Sequence, residues 1–453
     1  MKFLLTLWLS KFVAFAVNLI DKQRGSNYSG KIAIKLMGDF VGHFKGIDYD
    51  KVIFITGTNG KSTTTNLLAH TMRKAGRSVA SNTEGANMLP GIATTLIKNS
   101  TMFGELNKEY MVLEVDERSL PHIRKYLPGQ HMGITNLQKD QVQRNGDPDF
   151  ILRKFKASIG KDMTLYLNNE EPRSRSLDMF AGHAKYFSVA ANERSYTRFN
   201  PDTVTIACPR CGHAVRYHYY NLVSIGDFYC TKCDYHSTQN PDVLVTNVNF
   251  AEKKFICDSE EWNITYHNPF YIYNYAMVLL ICRSFGLSNQ QIREGFESFV
   301  NPANHDNIYY YHGKEVRYLR AKQENPEALQ SQLDVVAADP RKKTFIIGLH
   351  EVADFHPHYG GSFYFFDCEF TPIVESNVEK YISFSRTVCY DTASRMILGG
   401  APEEDVIVLD TNELSEVFSK LDETESDVVY LVTNMKHVKA IKAFLAEGGA
   451  DHA

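Results

Sequence analysis

The residues best suited by type and spacing to do chemistry are Gly57, Thr58, Asn59, Gly60, Lys61, Ser62 and Thr63. They follow the apolar run Lys51–Thr56 and open a stretch of helical spacing that stops at Gly76. Glycines let backbone N–H groups approach phosphate oxygens closely, a helix N-terminus adds a favourable dipole, and Lys61 can reach β- and γ-phosphates. Ser62 is of the type that offers its hydroxyl to Mg2+. The strict form G-x-x-x-x-G-K-[ST] needs glycine where Ile55 stands, so the spacing is the variant G-x-x-G-K-S. Glu114 ends the next strong apolar run, Tyr110–Val115, where a carboxylate suits Mg2+ beside a phosphate loop. Of Asp116 and Glu117, which follow, one is expected to be surface charge.

Cysteines supply the second chemistry. Cys208-Pro-Arg-Cys211 and Cys230-Thr-Lys-Cys233 form C-x2-C-x18-C-x2-C. Each pair can bite one Zn2+ from a tight turn with a hairpin between, which is zinc-ribbon spacing. Two matched pairs argue against a redox C-x-x-C. Four thiolate ligands leave no open position, so the zinc is expected to be structural. Cys257, Cys282, Cys368 and Cys389 stand singly and read as core or bland surface thiols; this usage fits a reducing, cytoplasmic compartment.

The elements that must position these groups follow from the pattern of apolar runs. With 453 residues, 43% hydrophobic and 23% charged, the chain has the composition of a folded globular protein, which excludes disordered and multispan membrane classes. Its 49 basic and 53 acidic side chains give no bulk attraction to nucleic acid. Runs at Lys51–Thr56, Tyr110–Val115, His131–Thr135 and Met163–Leu167 alternate with helical stretches, the signature of a parallel sheet covered by helices. Each ends in a polar group: the Gly57 loop, Glu114, Asn136, then Asn168 and Asn169. Ligands in open α/β sheets sit beyond the carboxyl ends of strands, so these four ends are expected to converge on one site. A cysteine- and tyrosine-rich insert spans about 200–239, a helix follows over Pro269–Phe285, and a boundary is expected near Pro302. Beyond it, strands are expected at Thr344–Leu349, Val406–Leu409 and Val428–Val432. The expected organisation is a helical region over 1–48, an ATPase domain over 49–302 and a smaller domain over 303–453. In the first region the apolar run Leu4 to Ile20 is divided by Lys11 into stretches too short to cross roughly 30 Å of hydrocarbon. It reads as a helix that packs, or that lies on a membrane surface.

The loop Gly57-Thr58-Asn59-Gly60-Lys61-Ser62 resembles the G-T-N/D-G-K-S/T loop of the Mur ligases, ATP-dependent enzymes of peptidoglycan building. Thr83-Glu84-Gly85-Ala86-Asn87, Leu113-Glu114-Val115-Asp116-Glu117, Thr135-Asn136-Leu137 with Asp140-Gln141, and Tyr273-Asn274-Tyr275-Ala276 are similar to segments of one subgroup, the amidating MurT-type subunits of lipid II isoglutaminyl synthase. The resemblance implies an α/β fold: a Mur-ligase-like phosphate-loop ATPase domain interrupted by the zinc ribbon, then a smaller Rossmann-like domain. It implies catalytic roles for Lys61 and Glu114, ATP contacts from the loop and Asn274, and substrate contacts from Thr83, Asn87, Asn136 and Asp140. The implied reaction activates the α-carboxylate of D-glutamate in lipid II as an acyl phosphate, using ATP and Mg2+, at the inner face of the cell membrane. Ammonia from a GatD-type glutamine amidotransferase subunit then gives D-isoglutamine. The chain shows no glutaminase-type nucleophile motif around its own cysteines, which suits that division. The family's last domain also lends an aspartate to the partner; Asp354 and Asp367 are both suited, and Asp367 is preferred as the close of an aromatic strand. Departures lie in that domain: Asn304-His305-Asp306-Asn307 replaces a G-R-G-E-like stretch, and Lys322-Gln323-Glu324-Asn325-Pro326 stretches a K-N-P-like one. They leave open a stand-alone Mur-type amino-acid ligase, or a catalytically weakened nucleotide-binding scaffold.

Overall fold

The computed structural model describes residues 1–20, 27–82, 86–140, 147–197, 206–265, 269–300, 308–322, 325–349, 364–434 and 438–448. Thr83, Asp354, Gln323, Glu324 and the stretch 304–307 lie outside them. The chain forms two compact units. One comprises Met1–Gln138, Asp147–Phe199 and Thr205–Asn301, and the other Lys139–Gly146, Asn200–Val204 and Pro302–Ala453.

In the first unit, β1 (Val52–Thr56), β2 (Val79–Ser81), β3 (Tyr110–Glu114), β4 (His131–Ile134), β5 (Thr164–Asn168) and β6 (His183–Val189) are mutually parallel neighbours. Beyond the inserted hairpin β7–β8 (Val215–Leu222, Ile225–Cys230), the strands β9 (Val243–Asn249), β10 (Lys254–Cys257) and β11 (Glu260–Asn263) extend the sheet. Its order is β11-β10-β9-β6-β5-β4-β1-β3-β2. Every residue of β1 is buried, because helices cover both faces. Ile53 and Ile55 meet α3 (Lys61–Lys74) and the helix Pro269–Ser284 through Leu67, Met72, Met277 and Ile281. Val52 and Phe54 share the opposite core with Ala33 of α2 (Tyr28–Leu36) and Ile92 and Leu96 of α4 (Leu89–Lys98). The helix Pro269–Ser284 is buried continuously from Ile272 to Cys282, which explains why it reads as apolar on all sides.

Lys11 does not interrupt the N-terminal helix, which runs unbroken as α1 (Lys2–Ile20). Its ammonium donates to the carbonyls of Ile97 (2.5 Å) and Ser100 (2.7 Å), closing the C-terminal end of α4 where a cation is favoured. No helix among the described residues is long and apolar enough to cross a membrane.

The second unit holds β12 (Ile308–Tyr311), β13 (Lys314–Arg320), β14 (Lys343–Gly348), β15 (Val378–Phe384), β16 (Val406–Leu409) and β17 (Val428–Thr433). They form one sheet of order β12-β13-β17-β14-β15-β16, parallel except for the β12–β13 hairpin. Separate apolar clusters cover its two faces. The aromatic strand expected before Asp367 is instead a single 3-10 turn, Tyr364–Asp367. Tyr364, Phe365 and Cys368 are buried while Phe366 is exposed, a spacing that follows a helical turn and not the alternation of a strand.

Candidate nucleotide and substrate site

Because β5, β4, β1 and β3 are adjacent, their carboxyl ends lie side by side along one sheet edge. β1 runs into the loop at Gly57, and α3 begins at Lys61. Gly57 (φ +119°) packs so tightly on β4's end that a Cβ there would lie 2.3 Å from Thr135 Oγ1 and 2.8 Å from the Asn136 carbonyl. Gly60 (φ +86°) is crowded by Asn274, whose Oδ1 would be 2.4 Å from an added Cβ. A loop held this closely at two left-handed positions is glycine-dependent for steric reasons. Asn136 clamps its middle: Asn59 N–H donates to Asn136 Oδ1 (2.9 Å), and Asn136 Nδ2 donates back to the Asn59 carbonyl (3.1 Å).

Lys61 donates to Glu117 Oε1 (2.6 Å), to the Thr58 carbonyl (3.2 Å) and to the Gly57 carbonyl. Glu117 is therefore an interior partner of the loop lysine, and the expectation of surface charge at this pair fails. Glu117 is 6% exposed, and Asp116 accepts from the Arg118 and Ser119 N–H groups. Glu114 is buried at the end of β3, with Oε1 accepting from Asn87 Nδ2 (3.0 Å). Asn82 holds that strand end by donating to the Glu114 carbonyl and accepting from its N–H, both at 2.8 Å. Ser62 is exposed in the first turn of α3. A glycine cradle, a lysine and the oxygen donors of Ser62 and Glu114 fit a phosphate chain with Mg2+ by donor type.

Gln138 was not singled out in the sequence. Its N–H donates to Thr58 Oγ1, its carbonyl accepts from the same hydroxyl, and its Oε1 accepts from Asn59 Nδ2 (3.0 Å). Its Nε2 donates to the carbonyl of Val223 (2.8 Å), in the turn between β7 and β8. The far end of the cysteine insert is thereby tied to the phosphate loop.

A second tie runs through β5's end. Glu170 is wholly buried, accepting from Tyr273 OH (2.5 Å), Val189 N–H (3.1 Å) and Tyr219 OH (3.4 Å). Asn221 of β7 donates to Tyr273 OH (2.9 Å), one residue from Asn274. Burial pushes the Glu170 carboxyl up to about 8 from an ordinary 4.5. Burial raises its neighbour Glu171 too, although Glu171 accepts from the Leu137, Arg173 and Ser174 N–H groups. A carboxyl whose folded value exceeds its unfolded one keeps a proton that the unfolded chain loses. Unfolding free energy should therefore fall as pH rises from about 4.5 towards about 8, by up to about 1.4 kcal/mol per pH unit. Urea unfolding across that range should show this slope in the native chain and a flatter one in Glu170→Gln.

The four cysteine Sγ atoms lie within 4.8 Å of one another, with Cys208–Cys233 at 3.7 Å and Cys211–Cys230 at 3.4 Å. Tetrahedral zinc at 2.3 Å from sulfur places its ligands roughly 3.8 Å apart, so the donor set fits. Tyr235, beside the second pair, donates to the Pro172 carbonyl (2.6 Å) and lies under Arg210, fastening the knuckles to the body.

In the second unit, Asp367 Oδ2 pairs with Lys139 (3.0 Å) and is 40% exposed. Asp140 Oδ2 pairs with Lys322, while its buried Oδ1 has no partner. The first unit thus brings together Gly57 to Thr63, Asn87, Glu114, Asn136 and Asn274, whereas Asp140 and Asp367 belong to the second.

Residues 55–202 match the Mur ligase middle domain and residues 323–436 the MurT ligase C-terminal domain. The chain is 27% identical over 376 residues to the lipid II isoglutaminyl synthase (glutamine-hydrolyzing) subunit MurT of Staphylococcus aureus, covering 83% of each. It is 24% identical over 430 residues to the subunit of that name in Streptococcus pneumoniae, covering 93% of each. In fold it is similar to a pseudomurein peptide ligase type C from Methanothermus fervidus (TM-score 0.65, 17% identity, 90% of this chain and 80% of that one).

Proposed function

We propose, for a chain homologous over most of its length to MurT subunits and built as a Mur-type ligase, that it is the ATP-using subunit of a lipid II isoglutaminyl synthase. The observation that carries this reading is the union of a phosphate loop and a buried strand-end glutamate with a MurT-type C-terminal domain. In the proposed reaction an oxygen of the D-glutamate α-carboxylate attacks the γ-phosphorus of ATP and ADP leaves. Ammonia then attacks the carbonyl carbon of the acyl phosphate, inorganic phosphate departs, and the nitrogen loses a proton to give the amide. Lys61 offsets the charge on the transferring phosphoryl group, and Gly57 to Thr63 hold the phosphate chain. Mg2+, held by Ser62 and Glu114, would supply further charge neutralisation. Asn274, which packs close against Gly60, is assigned with the loop to ATP. Asn87, Asn136, Asp140 and Thr83 are assigned to the muramyl-peptide side.

Ammonia comes from a GatD-type glutaminase subunit in this reading, and Asp367 or Asp354 completes that partner's site. Asp367 would have to give up its ion pair with Lys139 to serve that partner. The cysteine cluster holds one structural Zn2+, and three regions are assigned: 1–48, 49–302 and 303–453. The substrate is lipid-linked, so the enzyme works in the cytoplasm at the inner face of the membrane. ATP-dependent conversion of a lipid II analogue to its amide by the purified chain tests the proposal.

A further inference from the structure

We propose that the outward face of α1, together with the loop Met102–Phe103, docks the protein onto an anionic lipid surface. α1 is apolar on two sides. One side buries Leu7, Ser10 and Ala14 against the body, where Phe3 stacks among Phe40, His43 and Phe44. The other leaves Leu5 (56%), Trp8 (41%), Leu9 (47%), Phe12 (67%) and Phe15 (65%) in solvent. Those five positions follow the 3–4 residue spacing of a single helix face. Trp8 Nε1 donates to the Met102 carbonyl (2.8 Å), which draws the loop alongside and adds Met102 (53%) and Phe103 (72%) to the patch. Scattered exposed apolar residues need no explanation, but a contiguous aromatic-rich patch marks an interaction surface.

Charge selects the occupant. Residues 1–48 contain seven Lys or Arg, of which Lys11 is turned to the body, against three Asp, in a chain with 53 acids and 49 bases. Lys2, Lys31 and Lys35 are exposed, and α1 carries no acid. The exposed acids of the neighbouring elements are Asp39, paired with His43 (3.0 Å), and Glu105. Aromatic and leucine side chains over basic flanks, on a helix unable to span, are the features of one lying in the headgroup plane. This gives the proposed lipid-linked substrate a docking surface, and so rests on that reading for its purpose. The test needs neither substrate nor ATP, so either proposal can fail alone.

The full chain would be floated with vesicles of phosphatidylglycerol and phosphatidylethanolamine, and with neutral phosphatidylcholine vesicles. The expected result is salt-sensitive binding to the anionic vesicles, weakened at least tenfold in Phe12→Ser/Phe15→Ser/Phe103→Ser at unchanged melting temperature. Lys31→Glu/Lys35→Glu should weaken binding without altering the apolar face. Equal binding by the triple variant, absence of binding by the native chain, or a dimer in solution that the triple variant abolishes would overturn the proposal.

Discussion

Lys61→Ala should lower the rate of ATP-dependent amide formation by roughly 10²–10³-fold, the scale on which removal of one preorganised charge-stabilising contact acts. The same substitution has a structural cost that must be separated from the catalytic one. Lys61 and Glu117 form a nearly buried pair, with side chains 11% and 8% exposed. Removing one partner of a buried pair leaves the other uncompensated, at about 3–5 kcal/mol. Lys61→Ala should therefore also lower the melting temperature, whereas Lys61→Ala/Glu117→Gln should recover much of that stability. The double variant should remain inactive, because a neutral pair restores packing and not positive charge at the phosphates. Recovery of activity with stability would show that Lys61 acts only through folding.

Cys211→Ser/Cys230→Ser should have the second largest effect, on stability and on nucleotide binding together. Structural zinc in small domains contributes on the order of 10 kcal/mol of apparent binding free energy, so loss of two thiolates should release the metal and loosen the hairpin. The native chain should carry one zinc by atomic absorption and the variant none. The loosened turn at Val223 no longer fixes Gln138, and Gln138 no longer fixes Asn59. Two hydrogen bonds of ordinary strength, about 1 kcal/mol each, correspond to a roughly tenfold or greater weakening of ATP binding. Gln138→Ala should reproduce that weakening with zinc retained, at a stability cost of about 1–3 kcal/mol for the hydrogen bonds of the buried amide. Native ATP affinity in the cysteine variant would reduce the ribbon to a staple with no link to the loop.

The phosphate loop, its strand and its helix were legible because glycine, lysine and the switch from continuous apolar to helical spacing are local signals. The four-cysteine cluster was legible for the same reason, since its ligands sit as two short pairs. Gln138, Asn82 and the inward turn of Glu117 were not, because each acts through a partner tens of residues away with no periodicity to mark it. The N-terminal segment was legible as a non-spanning helix, but the partners of Lys11 were not, since only the fold brings the carbonyls of Ile97 and Ser100 within its reach. The 3-10 turn at Tyr364–Asp367 was misread because consecutive aromatics carry strong strand preference, while tertiary packing of Tyr364, Phe365 and Cys368 on one side decides the local geometry. The edge strand β11, its neighbours β10 and β9, and the short edge strand β2 lack the long apolar runs that reveal a strand buried on both faces.

The central claim is tested most directly by incubating the purified chain with ATP, Mg2+ and a lipid II analogue, first with ammonium and then with glutamine. The glutamine arm is run with and without a GatD-type glutaminase, and the product is read by mass as the change from carboxylate to amide. The account predicts amide with ammonium, amide from glutamine only when the glutaminase is present, and a rate lower by roughly 10²–10³-fold with Lys61→Ala. ATP binding without amide from either nitrogen source, or coupling of a free amino acid in place of ammonia, would contradict it.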